Sequence, residues 1–136
     1  MAAPIEELSD EEIDALLREE LVGRIGCHAD GETYVVPIIY AYDAGAVYVA
    51  SREGRKLQMM RANPAVCFEI DRYERGSWRS VIAQGRFEQL HGAAAERALD
   101  LLAARFAGRP TERRERGEAV CFRIVLEEPT GRAVRR

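Results

Sequence analysis

The stretch that most narrows the possible folds is "TYVVPIIYAYDAGAVYVAS", from Thr33 to Ser51. Tyr34 to Tyr42 is dense in β-branched and aromatic residues, the composition of a pleated strand with one face against a core. "DAG" at Asp43 to Gly45 is a hairpin turn signal, and Ala46 to Ser51 reads as the returning strand. Upstream, "LVGRIGCH" meets "ADG", whose Asp30 and Gly31 signal another tight turn. Strands joined by turns this short run antiparallel. Pro37 interrupts the strongest strand, and a proline cannot donate to a ladder. It therefore predicts an edge position, a bulge, or a place where the sheet opens.

The pattern continues to the end of the chain. Between Ala65 and Asp71, Val66, Phe68 and Ile70 alternate with Cys67, Glu69 and Asp71, which predicts a half-buried strand. Trp78 to Leu90 predicts a long strand in which Gly85 would mark a bend or bulge. Ala119 to Glu127 predicts the last strand, "GRPTERRERGE" before it a charged loop, and the basic tail "EPTGRAVRR" a frayed end. About six strands with hairpin-length turns imply a mainly antiparallel small barrel, its openings or edge covered by helices.

Three segments carry helical signals. In "LSDEEIDALLREEL", Ser9 and Glu12 have the spacing of a capping box, Asp10 and Glu11 add acid to the first turn, and Ile13, Leu16, Leu17 and Leu21 share a face. In "HGAAAERALDLLAARFAGRP", a helix over about Ala93 to Ala107 has Leu99, Leu102 and Phe106 as its apolar stripe. Gly108 is placed to cap it and Pro110 to stop it. The third, from about Glu53 to Ala62, ends at Asn63–Pro64 and is charged the wrong way round. Arg52, Arg55 and Lys56 crowd its first turn, where a helix carries partial positive charge, and only Glu53 offsets them. Each misplaced cation costs roughly 0.3–1 kcal/mol at an exposed site. A bound anion would explain the pattern, because a phosphate at a helix start accepts bonds from backbone N–H groups and from a hydroxyl such as Ser51. Three solvated basic side chains are the alternative.

Composition bounds the function. A chain of 136 residues, 47% hydrophobic and 32% charged, suits one soluble domain spanning residues 1–136. A net charge of −3 gives a nucleic-acid partner no support from the whole surface. No apolar run approaches the ~18 residues of a membrane span, and the N-terminus lacks a signal-peptide layout, which predicts a cytoplasmic protein without a membrane partner. Cys27, Cys67 and Cys121 stand singly among apolar neighbours, as buried small hydrophobes do. Cys27 and His28 are adjacent and so point to opposite faces of a strand, and the one other histidine is His91. Neither a metal site nor a Cys–His nucleophile is expected.

The order and spacing of "GRIGCHADGETYVVPIIYAYDAGAVYVAS", "GRKLQMMRANPAVCFEID", "SWRSVIAQGRFEQL" and "FRIVLEEPTGR" resemble the FMN-binding split barrel of the pyridoxamine 5′-phosphate oxidase-like superfamily, nearest its nitroimidazole-resistance branch. The likeness runs from Leu21 to Arg132. It implies a six-stranded antiparallel split β-barrel with about three helices, a homodimer, and FMN at the subunit interface. By the same resemblance Ser51, Arg55 and Lys56 would hold the FMN phosphate, with Arg52 as a helper. Val36, Pro37 and Ile38 would run beside the flavin ring, and Trp78 and Ser80 would approach it from the second subunit. Each has a plainer role open to it: Pro37 as a bulge proline, Trp78 as packing, Ser80 as a backbone partner.

A flavin would carry the electron transfer itself, so no catalytic side chain is assigned. The resemblance implies an FMN-dependent oxidoreductase passing electrons, with NAD(P)H as a possible donor, to a small acceptor such as a nitroaromatic or quinone. The alternative is a non-catalytic or stress-response protein that stores or senses FMN. The arginine and histidine set that holds pyridoxal phosphate in true pyridoxamine-phosphate oxidases has no counterpart near the C-terminus.

Overall fold

A computed structural model describes residues 3–107 and 119–135. Six strands of six residues or more are present: β2 (Val22–Ala29), β3 (Glu32–Ile39), β5 (Ala46–Ser51), β6 (Ala65–Glu74), β7 (Ser77–Gln89) and β8 (Val120–Val134). Two short ones, β1 (Glu6–Glu7) and β4 (Ala41–Asp43), bring the sheet to eight strands among the described residues. The order β3-β2-β6-β7-β8-β5-β4 is antiparallel at every pairing, with β1 added on β8. The sheet does not close, since β3 and β4 remain its two ends. The split-barrel expectation stands, with eight strands in place of six.

The extra strand β4 comes from a break in the predicted run Tyr34 to Tyr42. Tyr40 leaves the ladder: its ring is fully buried edge-on to Phe68 at 5.2 Å, its hydroxyl donates to Leu17 O at 2.8 Å, and its N–H donates to Leu21 O. One buried tyrosine thus ties the sheet to the first helix and sends the chain from one edge strand to the other.

Helices α1 (Asp10–Glu19) and α2 (Arg55–Ala62) face the interior of the curved sheet. Ile13, Leu16 and Leu17 of α1 and Leu57, Met59 and Met60 of α2 join Ile25, Phe68, Ile70, Phe122 and Ile124 in one core. The capping box of Ser9 and Glu12 forms as expected. Helix α3 (Gly92–Arg105) lies on the outside of β5 and β8, where Ala98 is its buried residue against Ala46, Tyr48 and Cys121. Of the predicted stripe, Leu99 packs half-buried against this cluster and Leu102 and Phe106 are half-buried too; the small Ala98 at the centre lets the helix sit close to the sheet. Gly108 and Pro110, with the whole of the expected charged loop, lie outside the described residues.

Two other expectations are corrected. The tail does not fray: β8 runs on to Val134, pairing Ala133 with Arg79 and Val134 with Trp78. Ala133 and Val134 are buried, and Gly131 lets Leu8 and Ile13 press onto the strand; a Cβ there would stand 2.8 Å from Leu8 Cδ1. Gly85 does not mark a bulge. Pairing is continuous through it on both sides, and the irregularity lies between Ile82 and Gln84. Glycine is required there because a Cβ would fall 2.4 Å from Ile124 Cγ2.

Candidate functional site

Chain geometry delivers a cluster of cations to one corner of the barrel. Strand β5 ends at Ser51, whose hydroxyl is buried and donates to the Arg52 carbonyl at 3.1 Å. Four residues later α2 begins, and burial of Leu57 and Met60 fixes its rotation so that Arg55 faces outward while Lys56 is half-buried. Gly54 occupies the N-cap, so no side chain caps the turn, and the first turn holds no acid. Open space surrounds the position a Gly54 Cβ would take.

Glu53 does not serve the first turn. Its carboxylate forms a two-pronged pair with Arg61 at the far end of α2, at 2.5 and 2.8 Å, and Arg61 also donates to Gln89 at 2.9 Å. That hydrogen bond holds the Glu53 carboxyl below its ordinary range. The counter-charge at the helix start comes instead from β3, where Glu32 pairs with Arg55 and the Tyr34 ring lies 4.9 Å beneath the guanidinium. No local sequence signal marks this contact, because 23 positions separate the pair and only the β2–β3 hairpin brings them together. Beside it, Ala29, Asp30, Glu32, Arg55, Gln58 and Met59 line an open hollow.

Val36, Pro37 and Ile38 follow on the same strand as Tyr34, roughly 7–13 Å further along it from the ring that touches Arg55. β3 is an edge strand, which explains how it tolerates Pro37. The three side chains do not share a face. Ile38 is buried in the core and Val36 packs against it, whereas Pro37 points outward and is exposed. Any flat ligand along this edge would therefore meet backbone and Pro37, while Ile38 contributes no side-chain surface.

Trp78 and Ser80 are not brought to this corner within one chain. Ser80 pairs with Asp71 on β6 and Arg132 on β8. Three strand spacings of roughly 4.8 Å, on the order of 14 Å, separate β7 from β3 across β6 and β2. Trp78 is half-buried and lines a hollow with Arg72, Arg75, Arg79 and Arg135.

The outer face of β3, β2, β6 and β7 carries what sequence patterning alone did not single out. Val22, Val35, Ile39 and Ile82 are exposed there, between 44% and 63% accessible, and the helices lie elsewhere. In their midst Arg24 Nη1 donates to Glu69 Oε1 and to Asp71 Oδ2, both at 3.1 Å. Burial, then the neighbouring Asp71, pushes the Glu69 carboxyl up to about 7, against the opposing pull of Arg24. Burial likewise raises the Cys27 and Cys67 thiols, which leaves both protonated and unreactive near neutrality.

Comparison with known proteins supplies the remaining observation. The model of the pyridoxamine 5′-phosphate oxidase family matches residues 9–133. A solved structure described as a FAD-binding protein from Mesorhizobium loti is 32% identical and superimposes with a TM-score of 0.81, covering 96% of this chain and 99% of that one. A candidate 5-nitroimidazole antibiotic resistance protein from Bacteroides thetaiotaomicron, 18% identical, shares the fold at a TM-score of 0.78 over 98% of this chain and 90% of that one. An uncharacterized protein of Rhizobium meliloti is 33% identical over 84 residues, which is 61% of this chain and 56% of that relative's length.

Proposed function

The chain belongs to the pyridoxamine 5′-phosphate oxidase family, and on that premise we propose that it binds FMN, with the cofactor's phosphate at the start of α2. The observation that carries this reading is an uncapped, acid-free helix turn flanked by Arg55, Lys56 and the buried Ser51. Helix N–H groups and cations together make a phosphate site, and Arg55 and Lys56 supply charge-assisted bonds. Arg55 would exchange Glu32 for the phosphate. Ser51 would turn its proton away from the Arg52 carbonyl. Asp30 and Glu32 line the adjoining hollow, so a second phosphate would meet carboxylates; this favours FMN over FAD despite the FAD-binding description of the Mesorhizobium protein.

The flavin, when bound, supplies electron transfer to a small acceptor of the nitroaromatic or quinone class, with NAD(P)H as donor. The chain's residues bind and orient. β3 offers its free edge and Pro37 to the ring, and no ionisable side chain is assigned to the chemistry. Trp78 and Ser80 reach the ring only from a second copy, so the functional unit is a homodimer that meets through the uncovered sheet face. A non-catalytic flavin store or sensor differs from this in one respect, the absence of turnover.

The test is equilibrium titration with FMN, FAD and riboflavin, followed by NAD(P)H turnover with nitro and quinone acceptors. FMN should bind at least about tenfold more tightly than riboflavin, and Arg55→Ala with Lys56→Ala should remove that preference while circular dichroism stays unchanged. Equal affinity for FMN and riboflavin in the unmodified protein would sink the phosphate assignment. FAD binding more tightly than FMN would overturn the choice of cofactor, and tight FMN binding without turnover would favour the store or sensor.

A further inference from the structure

The outer sheet face puts a net negative charge at the centre of apolar ground. Glu69 and Asp71 share the single guanidinium of Arg24, so the three groups sum to −1 when all are ionised, and the two carboxyls can hydrogen-bond each other only when one of them holds a proton. Pro37 stands across from Arg24 on β3 and Ile82 across from Glu69 on β7, with Val22, Val35 and Ile39 close by on the same face. The other groups able to influence the cluster are few. Among the described residues β2 adds His28, bonded to Thr33 at 3.0 Å; β6 adds Cys67 and the exposed Tyr73; β7 adds Arg86 further along; β8, one strand beyond, adds Glu127 and Arg132. β3 contributes no titratable side chain to this face, and Pro37 blunts its edge, so contact is directed through the face and not by strand addition.

We propose that this face is where two copies of the chain meet, and that their meeting requires the Glu69–Asp71 pair to take up a proton, so that self-association strengthens as pH falls through neutrality. The inference rests on the homodimer reading given above and adds its regulation. A symmetric contact brings the same patch from both copies, so two clusters of −1 enter one desolvated interface. Apolar surface gains from the contact, while unpaired charge in low dielectric opposes it. Protonating one carboxyl of each pair removes the charge and supplies the proton for a hydrogen bond between the two acids. The free chain is already close to that state, because Glu69 titrates near neutrality.

The sign follows from proton counts. Burial in the contact raises an acid's pKa further, so above about pH 7 the dimer holds more protons than two separate chains. The dissociation constant then climbs with pH, by up to about tenfold per pH unit for each proton taken up, and levels off once Glu69 is protonated in both states.

The experiment is sedimentation equilibrium of the full chain at constant ionic strength from about pH 6 to 9, for the unmodified protein, Glu69→Gln and Ile82→Asp. The unmodified dimer should weaken at least about tenfold between pH 6.5 and 8.5, consistent with uptake of one or more protons. Glu69→Gln should keep the low-pH affinity across the range, and Ile82→Asp should be monomeric. A dimer whose affinity ignores pH, or a Glu69→Gln dimer with the unmodified slope, overturns the proton linkage and leaves the dimer reading standing. A monomer at every pH, or a dimer indifferent to Ile82→Asp, overturns the use of this face and the inference with it.

Discussion

Single atoms decide several positions in this fold. Gly85 sits in an unbroken stretch of ladder, and its missing Cβ is the space that Ile124 Cγ2 occupies, with the Val125 carbonyl 3.2 Å away. Gly85→Ala should therefore destabilise the protein by about 1–3 kcal/mol, read as a lower denaturant midpoint with unchanged slope; an unchanged midpoint would mean that β8 yields freely. The sequence marked Gly85 as special and misread the reason, since a bend and a close approach both exclude a side chain. Pro37 was legible, because a missing donor restricts a residue wherever it lies in the chain. Glu32 was not: its role at Arg55 comes from a contact between the start of β3 and the start of α2, and a lone glutamate at the head of a strand carries no trace of it.

At the scale of elements, α1 shows how far local rules reach. Its capping box, acidic first turn and buried Ile13, Leu16 and Leu17 all follow from residues within four positions of one another. Ser9→Ala should cost about 1 kcal/mol by chemical denaturation, and no loss would show that the box contributes nothing. Helix α2 was legible in extent and in its reversed charge, but the compensation was not, because Glu53 turns to Arg61 in the last turn. α3 was placed correctly and its buried face in part: Leu99 packs against the sheet as expected, but the fully buried residue is the small Ala98. The tail misled for a related reason. Its arginines read as a solvated end, yet Gly131 and Ala133 flank Arg132 at strand spacing and face the core, and Val134 is buried on the other face opposite Trp78. β-sheet burial needs only every second residue to be apolar, so a basic composition does not exclude it.

At the scale of the whole molecule, the described residues leave one sheet face bare. Core and helices lie on the inside of β3, β2, β6 and β7, and the outside displays Val22, Val35, Ile39 and Ile82 around the Arg24–Glu69–Asp71 cluster. If that face joins two copies, Val35→Asp should produce a folded monomer that also loses most of its flavin, because Trp78 and Ser80 of a second chain would no longer reach the ring. Sedimentation and flavin retention measured together check it, and a monomer with full retention would return the whole flavin site to one chain. The sequence by itself determined the antiparallel strands, the helix positions, the restricted place of Pro37 and the reversed charge at the start of α2, because each depends on side-chain period, backbone donors or charges a few residues apart. The tertiary structure alone decided that the sheet stays open, that Tyr40 bridges its two ends, that Glu32 guards Arg55, and that two acids and an arginine from separate strands share an exposed face. Those features depend on strand order and register, which join residues tens of positions apart and leave no local pattern to read.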